Sequence, residues 1–329
     1  MYLPRLIKAI KTQFSYQFLL ALIIFLLVLP LFIQQSYILH VLIISMLFAY
    51  LCTAWSIVSG YSRQVSLGHS TFVGLGAYTT ALLYYYFNLN PLIGLLASIA
   101  SALVVSLVIS IPSFKFGLTG PYYIFSSLAI AEFFTYIFIG LRDLTGGELG
   151  LSLPFRNDPF YLQFKSKIPY YYIIMLMWVT IILLARKIQN SKFGYYLFAI
   201  RNDEVAAEAC GINVFKMKIL ASLLSAVLTS VGGFFYTIYY MYITPESVFG
   251  LPVSFQIATT SLIGGATSWI GPTLGAFVAV PFLEITRATL GGKFVGFPLL
   301  FYGLALIIIG RYIPGGIAFY LFKDKERVR

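Results

Sequence analysis

Charged residues are missing from two long stretches of this chain. None lies between Lys11 and Arg63, and none between Arg63 and Lys115, so each gap is about 51 residues long. A helical bilayer crossing takes roughly 20 apolar residues, so each gap holds two crossings. The apolar runs are continuous rather than alternating, which excludes a membrane barrel. The pattern places spans at about 16–34, 37–58, 65–87 and 91–112, with Gln35-Ser36 as the turn between the first two. A fifth span follows Gly120-Pro121-Tyr122-Tyr123 and runs to about 140, a sixth covers 169–185, and a long seventh covers 217–242.

Two further stretches read as interrupted. Pro252 to Ile263 is apolar, breaks at Gly264-Gly265, and resumes at Gly271-Pro272 toward Thr286; a last span takes about 296–313. Earlier, Gly60 to Tyr78 holds four glycines and several hydroxyls. Such a composition serves tight helix packing or a broken helix whose backbone lines a cavity, and the pattern leaves both open. Gly68 to Gly74 has the same spacing as Gly265 to Gly271, and paired interruptions in two halves point to an inverted repeat. The fold class predicted is an all-α polytopic membrane protein of about ten transmembrane helices, in one domain over 1–329.

The composition, 60% hydrophobic and 10% charged, agrees. The formal charge of +11 matters through its placement. Arg5, Lys8 and Lys11 precede the first run, six basic residues from Arg186 to Lys218 crowd one connector, and Arg311, Lys323, Lys325, Arg327 and Arg329 close the chain. Basic residues at helix ends set orientation by the positive-inside rule. With the N-terminus inside, about 16 of the 22 Lys and Arg lie on the cytoplasmic side; Arg142, Arg156, Lys165, Lys167, Arg287 and Lys293 lie outside. The expectation is a multi-pass cell-membrane (plasma or inner) protein with both termini cytoplasmic, including a tail over 314–329, and no nucleic-acid partner. The first apolar run is too long for a signal segment and has no small-residue cleavage site, so it reads as a retained helix.

The connector over 186–217 is the least membrane-like stretch, with Asp203, Glu204 and Glu208 inside six residues. Its order predicts a short helix: Asn202 caps it, Asp203 and Glu204 meet the positive end of its dipole, and Gly211 closes it. Val205, Ala209 and Ile212 share one face, while Ala206, Ala207 and Cys210 keep the rest small. A plain connector between membrane helices would also contain such a helix.

Glu204-x-Ala206-Ala207-x-x-x-Gly211 resembles the EAA-type loop of ABC importer permeases, the segment through which the membrane subunit touches its ATPase. The wider run from Ala199 to Val214, with Lys218, is similar to the LivM-type permeases of branched-chain amino acid importers. The same likeness is carried by Gly60-Tyr61-x-x-Gln64-x-Ser66-x-Gly68-x-x-x-Phe72-x-Gly74-x-Gly76-Ala77-Tyr78, by Leu144-Thr145-Gly146-Gly147-x-x-Gly150-Leu151, and by Gly264 through Ala276. At Glu148-Leu149 the chain departs from the family, where Ser-Asn or a similar pair is common.

The resemblance implies a permease subunit for branched-chain or other amino acids. Its implied partners are a second, LivH-like permease, two ABC ATPase subunits that hold ATP and Mg, and an extracytoplasmic solute-binding protein. It assigns ATPase coupling to Arg201, Asp203, Glu204, Ala206, Ala207, Glu208 and Gly211, as a helix seated in a partner's cleft. The expected pathway residues are Gln64, Ser66, His69, Gly74, Gly76 and Glu132 from the first half, with Gly264, Gly265, Thr267 and Gly271 from the second.

Catalytic signatures are missing. Gly291-Gly292-Lys293 lacks the upstream glycine and the hydroxyl of a P-loop, and His40 and His69 are too few for a histidine metal cluster. Cys52 and Cys210 make no disulfide framework. The chain is therefore expected to hold no cofactor or metal and to be no enzyme. Glu132 sustains a rival reading, because an intramembrane carboxylate is a functional candidate. As a proton or ion relay it would serve a self-sufficient secondary transporter or channel for a small polar solute. Its structural alternative is a hydrogen bond to a nearby hydroxyl, with Tyr136 one turn away. His69 reads as a hydrogen-bonded residue at a helix start, and Glu284 with Arg287 as a pair on one helix end.

Overall fold

The computed structural model describes residues 3–33, 35–290, 303, 304, 307, 311–313 and 315–322. Helices dominate it: α1 (Leu3–Phe32), α2 (Ser36–Val58), α3 (His69–Phe87), α4 (Pro91–Lys115) and α5 (Pro121–Gly140) come first. A short α6 (Arg142–Thr145) precedes α7 (Ile168–Gln189), α8 (Lys192–Asn202), α9 (Glu204–Ala209) and α10 (Val214–Tyr240). Then follow α11 (Pro245–Phe249), α12 (Leu251–Gly264), α13 (Gly271–Leu290) and α14 (Ile317–Phe322).

Local chemistry explains the starts. Asn90 accepts from the Leu92 amide ahead of Pro91, Asn213 accepts from Lys216, and Thr244 with Ser247 forms a reciprocal capping box before α11. Each side chain satisfies an amide that the first helical turn leaves without a partner. Two short strands, β1 (Leu151–Ser152) and β2 (Tyr242–Ile243), pair antiparallel with Leu151 opposite Ile243. They tie the segment after α5 to the far end of α10.

The centre of the bundle is α2. In its most apolar window 89% of residues are buried, against 22% in α4 and in α5. Around it pack α7, α10, α12 and α13, with α3 and α4 against α10. Lipid offers apolar side chains as good a home as a neighbouring helix does, so association has to come from close packing and hydrogen bonds. The α4 face turned inward reads Ser98, Ala102, Ser106, Ser110 and Ser113, one small residue per turn. Ser110 donates to Ser222 of α10 at 2.7 Å. Between α3 and α10 the approach is closer still. A Cβ on Gly76 would overlap the Ser230 carbonyl oxygen, and one on Gly233 would overlap that of Val73.

Several expectations need correction. Six segments are long and apolar enough to cross a membrane: 36–58, 91–115, 121–140, 168–189, 214–240 and 245–264. About ten are therefore not reached among the described residues. In α1 an apolar stretch runs over Leu19–Phe32, the span at 296–313 lies largely outside the described residues, and so does half of the tail over 314–329. Residues 65–68, assigned to a span, belong to the turn before α3. The two interruptions touch where Gly60 abuts Ala266, while α3 begins deeper in the bundle, with Ser70 bonded to Ser254 in the first turn of α12.

Gly76→Val should lower the thermal midpoint of the detergent-solubilised protein, since overpacking costs about 1–3 kcal/mol. Gly140→Ala, where an added Cβ meets nothing within 4 Å, should leave it unchanged. Equal midpoints for the two variants would refute the close α3–α10 seam.

Candidate functional site at the α9 end

Three segments converge at one end of the bundle: the turn 59–68 between α2 and α3, the turn 265–270 between α12 and α13, and the α8–α9 connector. A chain that breaks its helices must satisfy the backbone groups it frees, because apolar surroundings cannot. Here side chains from α7 and the connector do so. Gln189, at the end of α7, donates to the Thr267 carbonyl at 3.3 Å and accepts from the Trp269 amide at 3.1 Å. Arg201 of α8 donates to the Gly60 carbonyl. Trp55 donates to the Ser66 carbonyl at 2.8 Å.

The short helix forms as predicted with one shift. Asp203 is the cap, accepting from Ala206 at 3.0 Å, while Asn202 is the last residue of α8. The Asp side chain reaches the free amide because residue 203 is extended between the two helices. Gly211 stands just past the end at φ +83°, and the Ile212 amide returns to the Ala207 carbonyl at 3.1 Å. Ala207 is buried as the foot of α9, whereas Asp203, Val205, Ala206, Glu208, Ala209, Cys210 and Gly211 are exposed.

Glu204 turns the other way. Its Oε2 accepts from Lys218 Nζ at 2.6 Å and its Oε1 from Gln64 Nε2 at 3.0 Å. Lys218 is only 4% exposed and Gln64 3%. The Lys218 ammonium also lies 5.7 Å from the centre of the Phe114 ring, a favourable placement against the negative face of the π-system. Burial, with the charge of Arg63 nearby, pushes the Arg201 guanidinium below its ordinary pKa. Arg201, assigned to coupling, thus reaches the chain's own turn.

The expected pathway residues lie mostly inside the subunit. Gln64, Ser66, His69, Gly74, Gly76, Gly264, Gly265 and Gly271 are buried, and Thr267 is half-buried. Gly74 packs on the Phe249 ring, and Gly264 lies against Gly271. These glycines are close-packing positions, one of the two uses the sequence left open. His69 is hydrogen-bonded through Nε2 to Ser225 at 2.8 Å, and Ser225 donates on to Ala54. Among the described residues, five buried polar atoms lack a partner: Gln64 Oε1, His69 Nδ1, Thr71 Oγ1, Tyr78 OH and Thr229 Oγ1. Four of them belong to the segment 64–78. Glu132 is half-buried in mid-α5, and Tyr136 forms no hydrogen bond with it. Glu284 and Arg287 pair at 3.0 Å as expected.

Gln189 and the inward role of Lys218 were not anticipated. A lone glutamine after Arg186-Lys187 carries no local signal, whereas Lys218 stood inside the resembling run.

A multi-pass helical membrane protein whose polar connector grips two helix turns has the make-up of a transport subunit. The sequence profile described as branched-chain amino acid transport system / permease component matches residues 37–310, and the chain belongs to that family. The high-affinity branched-chain amino acid transport system permease protein LivM of Escherichia coli (strain K12) is 23% identical over 328 residues, covering 91% of this chain and 74% of the relative. The Salmonella typhimurium LivM gives the same figures. The probable LivM of Methanocaldococcus jannaschii is 24% identical over 262 residues, 75% of each chain. No solved structure matches.

Gln189→Met should speed hydrogen exchange at the Trp269 amide, because an orphaned buried group costs about 1–3 kcal/mol. Exchange at the wild-type rate would remove Gln189 as the clamp of the 265–270 turn.

Proposed function

We propose that this chain is the LivM-like permease subunit of an ATP-driven ABC importer for branched-chain or other amino acids. The observation that carries the reading is the exposed face of α9. Val205 stands 78% exposed on a capped, glycine-terminated helix whose foot, Ala207, is fixed in the subunit. That is the form of a rigid element built to enter a partner's cleft. On this reading Asp203, Val205, Ala206, Glu208 and Gly211 meet an ATPase subunit that supplies the ATP and Mg chemistry. Arg201 and Glu204 hold the helix in place. The α9 end and both termini face the cytoplasm, and a homologous permease and an extracytoplasmic binding protein complete the assembly.

The solute path is assigned to the surfaces around the segment 64–78 and the 264–271 turn. The unpartnered atoms of Gln64, His69, Thr71 and Tyr78 support this, since buried polar groups ordinarily have partners. Small turns there admit a zwitterion close to backbone carbonyls and amides. Glu132 sits on an outer helix, among the described residues without a hydrogen-bond or ion-pair partner. That favours a place where α5 meets the second permease or the solute.

Uptake by the reconstituted system should require ATP, and the chain purified alone should hydrolyse none. Gly211→Leu should leave membrane insertion intact while weakening ATPase association and abolishing uptake. An added Cβ there meets nothing within 4 Å, so the cost arises from the left-handed backbone, about 1–2 kcal/mol. Uptake that survives without the ATPase subunits but collapses with the proton gradient would establish Glu132-driven secondary transport instead.

A further inference from the structure

We infer that Glu204 and Lys218 form an internal latch, with Gln64, that carries displacement of α9 into the Gly60–Gly68 turn. The acid of the EAA-like loop then serves this chain and not the ATPase. The inference rests on the coupling role proposed for α9, and it names the residues through which motion leaves that helix.

Both oxygens of the Glu204 carboxylate are engaged within the chain, Oε2 by Lys218 and Oε1 by Gln64. The donors are buried, so water cannot readily take the place of the acid. Lys218 is the buried member and the Glu204 side chain is 35% exposed, so removing the acid leaves the buried ammonium without its partner. Lys218 is held from behind: it lies in the second turn of α10, whose start is capped by Asn213, and its ammonium faces Phe114 of α4.

Gln64 supplies the other end. Its Oε1 has no partner, so the bond to Glu204 is the one hydrogen bond described for this amide. Arg201 adds a second attachment at the Gly60 carbonyl. The pairs 201–60 and 204–64 bracket the turn, three residues apart on one side and four on the other. Moving α9 together with the end of α8 therefore moves this turn or breaks both attachments. The turn in turn presses on Ala266 through Gly60, and opens directly into α3 at His69. A contact on the exposed face of α9 thus reaches both helix interruptions through named bonds.

The test uses the full importer, this chain with its partner permease, ATPase subunits and binding protein, in proteoliposomes. Glu204→Gln and Lys218→Met should retain the ATPase subunits and their hydrolysis. Solute moved per ATP should fall by about 5- to 150-fold, the range of an ordinary coupling free energy. The exchanged pair, Glu204→Lys with Lys218→Glu, should recover most of that ratio. Val205→Arg, on the exposed face, should instead shed the ATPase subunits; if it does not, the docking reading fails independently of the latch. Loss of ATPase subunits in Glu204→Gln but not in Lys218→Met would overturn the latch, as would wild-type coupling in both. Should the charged variants fail to assemble, Gln64→Met decides, since it changes no charge. Wild-type coupling in that variant overturns the proposal, as does lost coupling with a raised KM for solute, which marks a path role for Gln64; lost coupling with the ATPase subunits and the KM for solute both unchanged upholds it.

Discussion

A buried ammonium needs an acid, and this requirement organises the α9 end. Lys218 cannot turn to water, because α10 is fixed by its packing on α3 and α4. The carboxylate has to come to it, so the connector must bring Glu204 inward. Once Glu204 points in, the geometry of a short helix brings Ala207 inward with it and puts Val205, Ala206 and Ala209 outside. Such an ion pair is weak evidence for stability, because desolvation offsets most of the Coulomb attraction. Its effect here is to specify how α9 sits, and thereby which residues a partner can meet.

The rest of the bundle obeys a second constraint, set by its surroundings. Without a hydrophobic drive between helices in lipid, contact depends on how near two backbones can come. That is why the inner face of α4 is serine and alanine, and why α3 and α10 interlock through Gly76 and Gly233. Apolar side chains facing lipid can be exchanged freely, while the small residues at crossings cannot grow.

The two constraints meet at the helix interruptions. Turns 59–68 and 265–270 survive near the membrane because Arg201, Trp55 and Gln189 satisfy the carbonyls and amides that the breaks expose. Two of these three clamps come from α7 and α8, the elements that lead to α9. On the proposed reading, a permease subunit moved by a partner needs its movable backbone attached to the surface the partner touches, and these clamps would supply that attachment.

Much of this was legible in the sequence. Charge-free gaps define membrane helices because a charge in hydrocarbon is costly wherever it falls, so α2, α4, α5, α7 and α10 follow from composition along the chain. The short helix closed by Gly211 was equally readable, since caps and left-handed glycines are local. Other features required the tertiary structure. The glycines of α3 became packing points only when Phe249 and Ser230 arrived from distant segments. Gln189 became a clamp only because the 265–270 turn lies beside it. Glu204 and Lys218 are 14 residues apart with a helix start between them, and Gln64 lies 140 residues from Glu204. Periodicity places a residue on its own helix and is silent about which segment will face it. A local sequence can state that an acid is present, but the direction it points is set by where the buried cation ends up.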